Sequence, residues 1–288
     1  MTVSTADDPK TLISTDWLAA HIKDPDLRIF DASWYLPDAD RDARSEYDAG
    51  HIPGARFFDI DDISDARSEL PHMAPPIEKF MSRMRAMGVG DGHQVVVYDG
   101  SGLFSAARVW WLFRLMGQTN VAVLDGGLPK WLANGHKTTT AAPTIRDRHM
   151  TVKRQPHRVR DVTDVARAAK LGDHSIIDAR APARFKGDAP EPRAGLRSGH
   201  IPKSQNVYYK DLLNTDGTMK APTALRTVFN DAGIDLQKPA ITTCGSGVTA
   251  AILSLALERI GKTDHSLYDG SWSEWGMYAD LPIATGAA

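Results

Sequence analysis

A second cysteine is missing from this chain: among its 288 residues the thiol occurs once, at Cys244. That excludes an internal disulfide and every zinc or iron–sulfur pattern built on several cysteines, so the thiol is either a small packing residue or a reagent. An excess of either charge is missing too. Lys and Arg number 34 against 36 Asp and Glu, and a formal net charge of -2 supplies no overall field that draws the chain to nucleic acid or an anionic membrane. Long apolar runs are also missing. The longest, such as Ala250–Leu257, fall far short of the roughly 20 residues needed to cross a bilayer, and Met1–Lys10 is polar and acidic, unlike an export signal. The expectation is a cytoplasmic protein with no nucleic-acid or membrane partner and no metal or other cofactor.

What is present is a globular composition, 42% hydrophobic and 24% charged, in a chain long enough for two ordinary domains. The sequence also repeats itself at a period of about 145 residues. Ile29-Phe30-Asp31-Ala32 matches Ile176-Ile177-Asp178-Ala179, and Gly50-His51-Ile52-Pro53 matches Gly199-His200-Ile201-Pro202. Asp99-Gly100-Ser101-Gly102 matches Cys244-Gly245-Ser246-Gly247, and Leu124-Asp125-Gly126-Gly127 with Trp131 matches Tyr268-Asp269-Gly270-Ser271 with Trp275. So long a period is a duplicated domain rather than a solenoid unit.

Within each half, short β-rich runs (Gln94–Tyr98, Val121–Leu124, Ser175–Ile177, Ala240–Thr243) alternate with stretches of helical spacing (Ser105–Met116, Thr163–Ala169, Thr223–Ala232, Val248–Ile260). Continuous apolar strands alternating with helices predict parallel sheets joined by right-handed crossovers. The fold class expected is therefore α/β, with a first domain over 12–136, a linker over 137–160 and a second domain over 161–285. The linker carries a basic run, Arg146, Arg148, Lys153, Arg154, Arg158 and Arg160, read as solvated or paired with acidic groups.

Cys244 falls between a strand and a helix. The first turn of a helix leaves N–H groups without intrahelical partners, and with the helix dipole these favour an anion such as a thiolate. Gly245 and Gly247 let successive N–H groups turn inward as a nest around the sulfur, and the same cradle, Gly245 through Ser246, Gly247, Val248 and Thr249, suits a second sulfur or a developing charge. A cysteine at a strand end is also a common packing residue, but glycines are wasteful around one, which favours a nucleophile. Arg184 and Arg193 lie in the segment after the strand that ends near Asp178, and ligands of open α/β sheets bind beyond the carboxyl ends of strands. Two guanidinium groups there would clamp a carboxylate; surface ion pairing is the alternative.

The run Cys244-Gly245-Ser246-Gly247-Val248-Thr249 resembles the active-site loop of 3-mercaptopyruvate sulfurtransferases, and the paired Gly-His-Ile-Pro and Asp-Gly-Gly/Ser motifs resemble tandem rhodanese domains over Ser14–Pro282. The resemblance implies that only the second domain is catalytic, and Asp99 at the position of Cys244 cannot become a persulfide. It further implies that Arg184 and Arg193 hold the carboxylate and ketone oxygens of 3-mercaptopyruvate, and that cyanide, small thiols or reduced thioredoxin accept the sulfur. The neutral Gly245 and Ser246, where thiosulfate-type enzymes carry basic residues, favour the mercaptopyruvate donor over thiosulfate. A serine, histidine and aspartate relay belongs to models of the family, for which Ser246, His51 and Asp42 are the candidates; because Gly-His-Ile-Pro recurs in the half without a thiol, His51 and His200 are expected to serve structure. A cysteine phosphatase, which shares the strand, cysteine and helix arrangement, needs an arginine where this chain has Ala250. A sulfur-carrying or regulatory binding module without turnover remains the reading from outside enzymology.

Overall fold

The computed structural model describes residues 7–36 and 39–287, so most of Met1–Lys10 lies outside the described residues. Contacts divide the chain into two compact units. The first comprises Met1–Asp65, Ala74–Gln155 and Asn214–Met219, the second Ala66–Met73, Pro156–Leu213 and Lys220–Ala288.

The first unit is built from strands β1 (Leu12–Ile13), β2 (Leu27–Asp31), β3 (Ala55–Phe57), β4 (Gln94–Tyr98) and β5 (Val121–Leu124), with helices α1 (Thr15–His21), α2 (Ala43–Ala49), α3 (Ile77–Ala86), α4 (Ala106–Leu115) and α5 (Gly127–Ala133). The strands form one sheet in the order β1-β5-β4-β2-β3, and every pairing is parallel. Side chains alternate between the faces of a strand. Ile29, Val96, Tyr98, Ala122 and Leu124 accordingly share a core with Leu18 of α1, Tyr47 of α2 and Trp131 of α5. Phe30, on the other face, meets Phe113 of α4, which in turn meets Phe80 of α3. Both faces are covered, which is why β4 and β5 read as unbroken apolar runs.

The second unit repeats this with β6 (Val159–Arg160), β7 (Ser175–Asp178), β8 (Gln205–Asn206), β9 (Ala240–Thr243) and β10 (His265–Tyr268), and helices α6 (Val162–Leu171), α7 (Pro182–Lys186), α8 (Pro222–Asp231), α9 (Ala250–Arg259) and α10 (Ser271–Trp275). The order is β6-β10-β9-β7-β8, again wholly parallel. Val165 and Ala168 of α6 and Trp272 and Trp275 of α10 pack with Ile176, Ile201, Ile241 and Tyr268. On the opposite face Thr242 Oγ1 meets Ser254 of α9 at 2.9 Å. The α/β class and tandem parallel sheets expected from the sequence are what the structure contains.

The segment read as a linker is divided. Up to Gln155 it follows the first unit: Lys153 N and Gln155 N donate to Met116 O and Leu115 O at 3.1 and 2.7 Å. Val159–Arg160 forms the edge strand of the second sheet. Of the basic run, Arg158 pairs with Glu258 at 3.1 Å.

Candidate active site

Strand β9 ends at Thr243 and α9 begins at Ala250, so Cys244–Thr249 is the loop between them, at the carboxyl end of the sheet. Gly247 bends it at φ +77°, a left-handed conformation costly for other residues. Cys244 is only 2% exposed, with Ser246 and Val248 also buried. The backbone of the loop is held from α10. Trp272 N donates to Cys244 O at 3.0 Å, and Ser273 N donates to Gly245 O at 2.8 Å. Ser273 Oγ donates to the same Gly245 oxygen at 2.7 Å, and Ser271 Oγ accepts from Cys244 N at 3.2 Å.

The first unit shows what such a loop does with a negative charge. Asp99 stands where Cys244 stands, and its buried carboxylate accepts from Ser101 N at 2.9 Å, Phe104 N at 2.8 Å and Ala106 N at 2.9 Å. Three inward amides around an anion are the nest expected from the glycine-rich sequence. The corresponding amides of the second loop belong to Ser246, Thr249 and Ala251; the last of these donates to Val248 O at 3.2 Å.

Arg184 belongs to α7, which is entered through Pro182 and closed by Gly187 in the left-handed conformation. Its guanidinium reaches the cysteine loop, since a Cβ added at Gly245 would stand 3.0 Å from Arg184 Nη2. Side chains larger than glycine at 245 would displace it. Behind Arg184 is a buried ionic chain that sequence reading did not anticipate. Glu191 accepts from Arg184 through Nη2 and from Arg180 Nη1 at 2.8 Å, while Arg180 Nη2 donates to Asp178 at 2.7 Å and to Gly199 O at 2.8 Å. Arg180 also lies 4.3 Å over the Trp272 ring. Burial alone would lower the Arg180 pKa, but Asp178 and Glu191 outweigh it and hold the guanidinium above its usual range. Two of the five guanidinium N–H donors of Arg184 are turned toward Glu191, through Nε and Nη2, which leaves three for another acceptor. The only sequence hint of Glu191 was its place between two prolines beside Arg193.

Arg193 follows two residues after Glu191. Its Nη2 lies 3.3 Å from His72 Nε2. His72 is buried in the second unit with φ +61° and lies outside every helix and strand. No periodicity or repeat marks it, and so sequence reading missed it. The structure thus brings Cys244, Gly245 and Arg184 into one cluster, and gives Arg193 a histidine neighbour.

His51 and Asp42 have local tasks. The ring nitrogens of His51 lie 2.9 Å from Tyr47 O and 3.2 Å from Ala141 O, and Asp42 caps α2 by accepting from Ser45 N at 2.5 Å. His200 repeats the pattern, with Nδ1 2.9 Å from Phe185 O and its ring stacked on Phe185. Each histidine also forms an isolated antiparallel bridge, to Thr139 and to Ala284 respectively. The Gly-His-Ile-Pro motif therefore fastens a returning segment in both units. Among the described residues, no cluster of His, Cys, Asp and Glu is arranged to hold a metal ion.

Residues 14–134 and 161–278 each match the model of the Rhodanese-like domain. The chain belongs to the rhodanese family. It is similar to the 3-mercaptopyruvate sulfurtransferase of Escherichia coli strain K12, 44% identical over 272 residues that span 94% of this chain and 96% of that one. The thiosulfate sulfurtransferase of Rattus norvegicus is 41% identical over 273 residues, spanning 92% of each chain. Among solved structures, the 3-mercaptopyruvate sulfurtransferase SseA of Escherichia coli superposes with a TM-score of 0.83 at 42% identity, covering 91% of this chain and 99% of that one. Asp99 and Cys244 are thus the corresponding loop residues of two rhodanese domains.

Proposed function

We propose that this rhodanese-family chain is a 3-mercaptopyruvate sulfurtransferase in which Cys244 of the second domain carries the sulfur and the first domain does no chemistry. The Cys244 thiolate attacks the sulfur of 3-mercaptopyruvate. A sulfur–sulfur bond forms, the carbon–sulfur bond breaks, and the electron pair leaves with pyruvate enolate, which takes up a proton. An acceptor then attacks the outer sulfur of the persulfide and restores the thiolate: cyanide leaves as thiocyanate, a small thiol as a persulfide. Reduced thioredoxin releases the sulfur as sulfide and becomes a disulfide. With one cysteine in the chain, the reductant has to come from outside.

The observation that carries this reading is the cluster itself, a thiol in a strand-to-helix loop with the Arg184 guanidinium against Gly245. Backbone amides from Gly245 to Thr249 are suited to the outer sulfur and the leaving charge, and Arg184 and Arg193 to the donor's carboxylate and ketone oxygens. The neutral residues after Cys244 favour a singly charged donor over the thiosulfate dianion. We also place the reaction in the cytoplasm, where a free thiol such as Cys244 is kept reduced; fractionation finding the chain in another compartment overturns that placement. No described helix is long and apolar enough to cross a membrane.

The test is mass spectrometry of the Cys244 peptide after donor treatment, alongside pyruvate release. The peptide is expected to gain one sulfur, and Cys244→Ser to lose at least about a thousandfold in turnover. Full activity in Cys244→Ser refutes the mechanism. Faster sulfite release from thiosulfate than pyruvate release from mercaptopyruvate reverses the donor assignment, and persulfide formation without steady-state pyruvate release makes the chain a carrier.

A further inference from the structure

The two domains differ systematically where the last short helix meets the cysteine-type loop. In the first domain that helix starts Gly127-Leu128-Pro129, in the second Ser271-Trp272-Ser273. The middle residue does the same work in both: Leu128 N donates to Asp99 O at 3.0 Å, as Trp272 N does to Cys244 O at 3.0 Å. The flanking residues do not. Gly127 has no side chain and Pro129 has no N–H, whereas Ser271 and Ser273 together contribute three further bonds, to Cys244 N and twice to Gly245 O.

Ser271 makes its bond at a cost. Its φ is +49°, in the left-handed region where the first domain has glycine at φ +56°, and a non-glycine residue there is strained. Its hydroxyl is fully engaged: it donates to Tyr268 O at 2.8 Å and accepts from Cys244 N and from Thr243 Oγ1 at 3.3 Å. Strain retained at a residue that touches the backbone of Cys244 asks for a reason.

Peptide geometry supplies one. In a trans peptide the carbonyl and the next N–H point in opposite directions. Two donors from Ser273 pull Gly245 O toward α10, so the N–H of Ser246 is turned away from α10, into the loop. The first loop is held differently: Gly100 N donates to Ser33 Oγ at 2.8 Å and Arg41 Nη2 donates to Gly100 O at 3.5 Å, while the Asp99 carboxylate accepts from three of its own loop's amides and orders them from within. The one sulfur of Cys244 is a weaker hydrogen-bond acceptor than a carboxylate with two oxygens, and orders the amides less before a second sulfur arrives.

We propose that Ser271 and Ser273 are positioning residues that clamp the Cys244 loop in its anion-receiving form while it is empty, taking the place of the built-in carboxylate of the first domain. This rests on the sulfurtransferase reading of Cys244. The variants that test it are Ser271→Gly, which installs the first domain's residue and relieves the strained φ, and Ser273→Ala, with Ser273→Thr as the conservative control. Single-turnover persulfide formation, donor KM, alkylation rate of Cys244 and thermal midpoint are measured on the full chain. Expected are a five- to fiftyfold fall in the rates of persulfide formation and of alkylation with Ser271→Gly or Ser273→Ala, donor KM within twofold, a rate loss larger than any fall in thermal midpoint accounts for, and recovery in Ser273→Thr. Rates within twofold of the parent in both folded variants overturn the clamp. A fall in rate only in proportion to lost stability does so as well, and if Ser273→Ala fails to fold, Ser271→Gly alone decides. Failure of the parent to form a persulfide at all sinks the sulfurtransferase reading instead, and the alkylation rates still judge the clamp.

Discussion

Asp99 and Cys244 directly follow equivalent central strands, stand before equivalent helices, and are followed in both cases by Gly-Ser-Gly. One loop holds a built-in carboxylate; the other has a cysteine in its place and is braced from α10. Under the proposed function, the same loop is an anion receptor in both domains and becomes a catalytic device only where its built-in carboxylate is withdrawn. A carboxylate there gives a closed, self-satisfied turn. With a cysteine there, the amides of Ser246 and Thr249 are, under the proposed function, the ones that meet the transferred sulfur, while Ala251 N donates to Val248 O at 3.2 Å.

Exchanging the occupant is the strongest way to break this comparison. Cys244→Asp is expected to abolish pyruvate release, by at least about a thousandfold, while urea unfolding shows the second domain as stable as the parent or more so, because the carboxylate meets the amides of Ser246 and Thr249, and Ala251 N has only a 3.2 Å bond to Val248 O to exchange for it. A loss of more than about 1 kcal/mol would mean that the second loop is not the same receptor. The converse change has the next largest effect. Asp99→Ala leaves the amides of Ser101, Phe104 and Ala106 buried without their acceptor, and a cost of about 3 kcal/mol follows from the loss of charge-assisted bonds to a buried carboxylate. It should appear in the unfolding of the first domain, with kcat/KM within twofold. A stable Asp99→Ala protein would show that the carboxylate is incidental to the turn.

Much of this was legible in the residues. The runs Gln94–Tyr98, Val121–Leu124 and Ala240–Thr243 are the strands β4, β5 and β9 as read, because strands covered on both faces have no polar side to blur their limits. Cys244 and Arg184 could be assigned to one site because both follow the carboxyl ends of adjacent parallel strands, β9 and β7. Short edge strands such as β6 and β8, two residues each, escaped notice, since so few positions carry no period. Glu191 and His72 escaped for a different reason. Their importance lies in contacts made through irregular segments, to Arg180 and Arg184 in one case and Arg193 in the other. The histidine that the repeat did advertise, His51, turned out to fasten backbone.

The comparison extends, with the smallest expected effect, to the turn after the last strand of the first domain. There Asp125 of the Asp-Gly-Gly motif accepts from Met219 N at 2.7 Å, and Lys130 of α5 pairs with Asp216 at 2.7 Å, so Asn214–Met219 is held within the first unit by one buried and one exposed contact. The second domain has Glu274 where the first has Lys130, a carboxylate that burial pushes up rather than one end of an ion pair. Asp216 is held down to about 2 from 3.8, first by Lys130 and then by the Thr218 hydroxyl. A carboxylate whose folded pKa is depressed adds stability that is fully present above its unfolded value and disappears as pH falls through the folded one. Lys130→Met should therefore lower stability at neutral pH by less than about 1 kcal/mol, as befits a solvent-screened pair, and the gap from the parent should narrow between pH 3.8 and about 2. Urea midpoints measured across that interval decide it: a gap that persists below about pH 2 would assign the effect to the packing of the lysine stem rather than to its charge.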